Sequence, residues 1–191
     1  VPRNWEQHYR GRSPADTAAA AVLHDYAHLL PGRGVALDVA CGLGGNAQLL
    51  ARAGLDTFAW DRVHTAIDTL DAWVRTRRLP LTAQVRDVVA HPPEPGRFDA
   101  IVVSHFLERA LAPALIAALR PGGVLFYQTF TRSRVTDRGP GDDLFRLAEG
   151  ELLELFAPLR ILVYREEGRV GDLSKGLRDE AQLVACRPLN P

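Results

Sequence analysis

LDVACGLGG, residues 37–45, carries an apolar stretch straight into three glycines, with Asp38 inside the apolar stretch. A glycine turn after a strand lets the backbone approach a nucleotide closely. Counted from Ala40, the pattern A-x-G-x-x-G (Ala40, Gly42, Gly45) is a loose form of a dinucleotide fingerprint and weak by itself. Two phosphates beside the Asp38 carboxylate would cost electrostatic energy, whereas an ammonium or a sulfonium would gain. Asp61 closes the next apolar stretch, 23 residues after Asp38. A carboxylate there can grip both hydroxyls of a ribose, which suits a nicotinamide cofactor equally. Asp87 closes QVRD, where it can accept from an exocyclic adenine amine while Val88 offers its N–H to the ring. Three aspartates at the ends of three successive strands form a constellation, and it points to one ligand with positive charge and no phosphate.

To bring those carboxylates to one edge, the chain must alternate strands and helices. Ser13 before Pro14 marks a helix start, and the alanine-rich stretch Pro14–Leu30 predicts one amphipathic helix that stops at PGRG. VALDVA is a first strand, followed by the glycine turn and a helix over 45–53 with Gly54 past its end. A second strand is predicted at 55–60, a helix at 64–78 and a third strand at 81–88. AHPPEPGR, with three prolines, reads as a loop. FDAIVVS (98–104) is a fourth strand, 107–119 a helix, PGG a stop and VLFYQTF (124–130) a fifth strand. After the polar loop TRSRVTDRGPGDD come a short helix at 148–156 and two strands, LRILVYREE and EAQLVACRP, in a loose hairpin. Five βα-type units and an antiparallel pair imply an α/β fold, a mostly parallel sheet with helices on both faces. No linker divides the chain, so residues 1–191 read as one domain, with 1–30 as its N-terminal arm and helix.

Composition narrows the function. With 47% hydrophobic and 24% charged residues, the chain suits a soluble globular protein with a sizeable core. Lys plus Arg and Asp plus Glu number 23 each, so no global field gathers polyanions, which argues against nucleic acid. No apolar run reaches the length of a membrane span, and VPRNWEQHYR is no secretion signal, so a cytoplasmic protein is expected. Cys41 and Cys186 have neither disulfide nor metal spacing and read as small core residues. HDYAH sets His24 and His28 four apart, but Asp25 stands where a zinc-binding helix has glutamate, no third ligand is evident, and no metal is assigned.

LDVACGLGG, AWDR, VRDV, FDAIVVSHFL and the PGG turn together resemble motifs one to four and the fifth-strand approach of class I S-adenosylmethionine-dependent methyltransferases, over about residues 33–130. The resemblance implies a Rossmann-like three-layer α/β/α sandwich. Its seven-stranded sheet would run in the order 3-2-1-4-5-7-6 with the last strand antiparallel. It also implies S-adenosylmethionine as cofactor. Gly42 and Gly44 would let the backbone approach the methionine moiety beside Ala40, where the family often has glycine. Asp38 would serve the ammonium, Asp61 the ribose with Arg62 beside it, Asp87 and Val88 the adenine, and Ser104 the crevice wall. With Trp5 and Tyr9 near the start and no added substrate domain, the chain looks most similar to the tellurite-resistance methyltransferase group and related small-molecule enzymes.

Methyl transfer from a sulfonium needs chiefly alignment and exclusion of water, with a base only when the acceptor arrives protonated. SHFLER, past the fourth strand, supplies the acceptor side: His105 and Arg109 as catalytic candidates, Phe106 as a contact. His105 reads equally as a satisfied surface histidine. Arg109, Arg132 and Arg134 offer an anion-binding rim or are simply solvated. Trp5 and Tyr9 either close as a lid or staple the arm to the body. The leading expectation is methylation of a small molecule such as a thiol or a chalcogen oxyanion by in-line displacement. RNA or protein methylation and a catalytically silent cofactor-binding module stay open beside it. The oligomeric state is not encoded in any of these features.

Overall fold

The structure, a computed structural model, describes residues 4–189. Seven strands form one sheet: β1 (Val35–Val39), β2 (Asp56–Asp61), β3 (Leu81–Val85), β4 (Phe98–Ser104), β5 (Leu119–Phe130), β6 (Arg160–Arg165) and β7 (Glu180–Cys186). Their order is β3-β2-β1-β4-β5-β7-β6, as the resemblance implied. The pairs from β3 through β5 are parallel, and β7 is antiparallel to both β5 and β6. The register sets Asp38 beside Ala59 and Val102, so the carboxyl ends of β1, β2 and β4 share one edge.

Six α-helices accompany the sheet among the described residues: α1 (Trp5–Tyr9), α2 (Ala21–Asp25), α3 (Gly45–Arg52), α4 (His64–Arg75), α5 (Ala112–Ala118) and α6 (Glu151–Leu155). On one face Val22, Leu23 and Leu50 of α2 and α3 pack against Ala36, Val102, Phe126 and Val184. There α3 and α4 also enclose Ala47, Ala51, Leu70 and Val74 over Ala59 and Leu81. Leu115 of α5 and Leu152 of α6 cover the other face, over Leu37, Ile101, Leu125 and Leu183. This layering follows from the period-two burial of strands against helices with one apolar stripe. Between β3 and β4 no helix forms, as the prolines require. The Arg86 and Arg97 guanidiniums cover the sheet there instead, 3.9 Å over Trp60 and 4.7 Å over Phe58.

The expected helix over 14–30 does not form. Pro14–Asp16 is a 3-10 turn capped by Ser13, whose hydroxyl accepts from Ala15 N. Residues 17–20 are not helical, with ψ 136° at Thr17 and 147° at Ala20, and only Ala21–Asp25 is α-helical before a second 3-10 turn, Ala27–Leu29. Alanine favours helix, but here distant side chains take the backbone amides. Ala20 N donates to Asn46 Oδ1 and Val22 N to Gln128 Oε1, both at 2.8 Å. Gln48 Nε2 donates to Pro14 O at 2.8 Å. Tertiary acceptors thus override helix propensity and draw the segment out as a strap along the sheet edge. The break separates His24 from His28, so they share no helix face.

Smaller differences follow the same logic. PGG is not a stop: it forms an irregularity inside β5, where the pairing shifts between Phe98 and Ala100. The helix expected at 107–119 begins as a 3-10 turn, Arg109–Leu111, and becomes α-helical at Ala112. β3 ends at Val85, which leaves Asp87 two residues beyond the strand.

Strap and α3 touch at Gly45, where a Cβ would meet the Ala18 carbonyl oxygen at 2.3 Å. Gly45→Ala is therefore expected to cost about 1–3 kcal/mol through overpacking. Thermal unfolding would show this as a Tm lowered by several degrees, and an unchanged Tm would contradict the close approach.

Candidate active site

The glycine turn joins β1 to α3 and is left-handed at Ala40 (φ +53°), Gly42 (+51°) and Gly44 (+77°). Ala40 bears that conformation with a methyl group, at a steric cost glycine avoids. Two buried carboxylates flank the turn. Asp38, fully buried, accepts from Asn46 Nδ2 at 3.2 Å and from Ala47 N at 2.9 Å, in the first turn of α3. Burial pushes its pKa up to about 7 against the pull of those bonds, and the Asp61 charge adds to the rise. Asp61 accepts from Gly42 N at 2.8 Å and Val63 N at 2.9 Å, and burial raises its pKa too. Burial and then these two charges push the Cys41 thiol up, which leaves it protonated, although the residue is half-buried at the edge of the core rather than within it.

This donor set decides between ligands. The Gly42 amide, which a pyrophosphate crossing the turn would need, is already held by a carboxylate. Around the turn lie two acidic groups within low-dielectric surroundings, a poor site for phosphate and a good one for a cation. A Cβ at Gly42 would stand 2.6 Å from the Tyr9 hydroxyl, so the turn needs glycine both for its φ and for this approach. The residues fit a ligand with a positively charged amino acid end and a ribose.

Asp87 lies apart from this pair. It is exposed, and its Oδ1 accepts from Val89 N at 2.9 Å and Ala90 N at 3.3 Å, bonds that hold its carboxyl below the usual range. With Arg62, His64, Gln84, Val85, Arg86 and His91 it lines a cavity of about 550 Å³ at the ends of β2 and β3. The Val88 side chain turns into the core.

A second cavity, about 300 Å³, opens at the ends of β4 and β5 beneath the strap, lined by Ala18–Ala21, Ser104, His105, Gln128, Arg138 and Glu180. Asn46 ties it to the glycine turn: its Nδ2 donates to both Asp38 and Ser104 Oγ, the latter at 2.9 Å. His105 has φ +53°, and its ring lies against Phe130 with centroids 5.0 Å apart at 29°. Its Nε2 stands 3.4 Å from Oε1 of Glu180, a side chain only 3% exposed. The same oxygen is 3.0 Å from Arg138 Nη2, while Oε2 accepts from Gln128 Nε2.

Several expected acceptor-side residues stand elsewhere. Arg109 is committed to Glu151, 3.1 Å from its Oε2, and to the carbonyls of Leu144 (2.7 Å) and Arg146 (2.9 Å), and it lines neither cavity. Phe106 packs against the core under α5, and its carbonyl accepts from the Tyr127 hydroxyl at 2.8 Å. Arg132 is exposed, 3.4 Å from the Asp143 carbonyl, and Arg134 pairs with Asp143, so with Arg109 at the Leu144 carbonyl the three gather at one turn and line neither cavity. The arginine at the cavity is Arg138. In the arm, Trp5 and Tyr9 stack at 6.0 Å, Tyr9 packs on Leu43, Val63 and Ala66, and the Glu6 carboxylate accepts from His64 N and Thr65 N at 3.1 Å. The arm is stapled to α4 while it covers the turn.

Asn46, Gln128, Arg138 and Glu180 escape a sequence reading. Asn46 alone carries a signal, as an amide in the first turn after the glycines; the other three meet only through strand pairing and a long loop.

Asp38 makes stability depend on pH. Its folded pKa lies above the ordinary 3.8, so its favourable contribution is complete below about pH 4 and is lost as pH rises through about 7. The difference in Tm between Asp38→Asn and the wild type should therefore move in favour of the variant between pH 4 and pH 8. Thermal melts across that range check it, and a constant difference would contradict the burial effect.

Comparison with known proteins agrees with this geometry. Residues 36–123 match the family model described as a methyltransferase domain. Ubiquinone biosynthesis O-methyltransferase of Methylococcus capsulatus is 32% identical over 106 residues, covering 51% of this chain and 44% of that one. The chain thus spans a little under half the length of the curated relatives it matches. In fold, a structure solved for the conversion of a disulfide bond into a thioacetal group during echinomycin biosynthesis superposes with TM-score 0.71 at 24% identity, over 98% of this chain and 92% of that one. TehB from Haemophilus influenzae superposes with TM-score 0.70 at 21% identity, over 96% and 67%.

Proposed function

We propose that this chain, whose residues 36–123 match the methyltransferase-domain model, moves a methyl group from S-adenosylmethionine to a small-molecule acceptor seated beneath the strap. The observation that carries the reading is the pair of buried carboxylates, Asp38 and Asp61, with the Gly42 amide already taken. When bound, S-adenosylmethionine supplies an electrophilic methyl on a positively charged sulfur, which leaves with the bonding electrons as a neutral thioether.

The chain's own residues do the positioning. Asp38 offers its charge to the ammonium group, ionising more fully as the cation replaces lost solvation. Asp61 keeps lone pairs beyond its two amide bonds for the ribose hydroxyls. The turn at Ala40, Gly42 and Gly44 presents backbone at close range, and the cavity bounded by Arg62 and Asp87, with the Val88 amide, takes the base. Tyr9 and the strap exclude water from above. The acceptor would enter beside Ser104 and His105, which line the second cavity. A thiol or a chalcogen oxyanion is one acceptor class, and the name of the ubiquinone relative, an O-methyltransferase, adds an oxygen.

Calorimetry with S-adenosylmethionine tests the cofactor half: the wild type should bind, and Asp61→Asn should weaken binding about tenfold or more with the fold retained by circular dichroism. No binding, or binding insensitive to the change, overturns the reading. Release of S-adenosylhomocysteine in a screen of thiols, selenite, tellurite and small phenols separates an enzyme from a silent binding module.

A further inference from the structure

We propose that Glu180 is a positioning residue that sets His105 as the proton acceptor for a hydroxyl-bearing acceptor of about one ring in size. The inference rests on the reading above and deepens it. Its basis is the second cavity. That space has an apolar wall, the four alanines of the strap, and a polar end made by His105, Glu180, Gln128 and Ser104. At about 300 Å³ it lies at the small end of ligand pockets, enough for one ring and a few substituents.

The imidazole is held from three sides. Its backbone is left-handed, with His105 N donating to Gln128 O at 2.8 Å. Its ring lies on Phe130, and Nε2 faces the Glu180 carboxylate at 3.4 Å. That distance is long for a hydrogen bond, as catalytic contacts often are before substrate tightens them. In the tautomer that carries its hydrogen on Nε2, the nitrogen beside the carboxylate, the lone pair falls on Nδ1. Glu180 is itself fixed. Burial raises its pKa, but contacts from His105, Gln128 and Arg138 outweigh that and leave it ionised. A fixed anion behind an imidazole stabilises the imidazolium that forms when it takes a proton.

The step balances without a further reagent. The acceptor's O–H proton passes to Nδ1, and the O–H electron pair stays on oxygen, where it forms the bond to the methyl carbon as the carbon–sulfur pair departs on the neutral thioether. The imidazolium then returns its proton to water across a side chain that is 44% exposed.

Two probes of one shape separate this role from a structural one: catechol, protonated at neutral pH, and 4-nitrocatechol, which ionises far more readily. Glu180→Gln should lower kcat for catechol about a hundredfold, the low end for general-base catalysis, with KM within about threefold. For 4-nitrocatechol it should lower kcat less than tenfold, and Glu180→Asp should recover part of the catechol rate. Equal losses on both probes, no loss on either, or wild-type turnover of neither catechol overturns the proposal. Calorimetry with S-adenosylmethionine on the same samples keeps the two failures apart. Wild type that does not bind cofactor sinks the methyltransferase reading, whereas intact binding with any of those outcomes sinks only the role of Glu180.

Discussion

One asparagine side chain holds the site together. Asn46 donates to Asp38 and to Ser104 while it accepts from the Ala20 amide, so β1, β4 and the strap meet at a single carboxamide. Each of those groups is buried or partly buried, and a buried polar group without a partner costs far more than one hydrogen bond contributes. Gln128 repeats the arrangement one cavity further along, accepting from Val22 N and Gln182 Nε2 while it donates to Glu180. Two carboxamides therefore decide that residues 17–20 run extended, and the extended strap in turn roofs the second cavity.

The second constraint is electrostatic. Asp38 and Asp61 are buried near each other at the glycine turn, and the groups that hydrogen-bond them are amides, with the Arg62 charge acting on Asp61 from nearby. Such an arrangement opposes ionisation in the protein alone and favours a ligand that brings positive charge. Stability and binding are thereby set against each other at one residue, Asp38, a pattern common where a site is organised for its ligand rather than for the fold.

The second cavity depends on a loop that is irregular yet heavily bonded. The Arg146 guanidinium, 1% exposed, donates to the carbonyls of Thr131 at 2.8 Å, Pro140 at 2.7 Å and Arg138. Asp179 takes Val135 N, Thr136 N and the Thr136 hydroxyl. These contacts satisfy a backbone that no sheet or helix serves, and they deliver Arg138 to Glu180. Arg109, by contrast, binds the far side of the same loop to α6, which explains why an arginine so near the fourth strand in sequence stays out of the cavity.

What the sequence determined by itself is whatever depends on neighbours along the chain. The strands around Asp38, Asp61 and Ser104, the glycine turn and the helix after it follow from apolar period, chain reversal and steric freedom, all local quantities. The order of the strands came through motif resemblance. The tertiary structure alone decided the broken first helix, the pairing of Glu180 with His105 and the placing of Arg109, Arg132 and Arg134 away from both cavities. Those depend on acceptors far away in sequence, as when Val22 finds Gln128 across 106 residues. Helix propensity is worth only tenths of a kcal/mol per residue, so a buried amide with a better partner elsewhere prevails, and no local pattern records where that partner is.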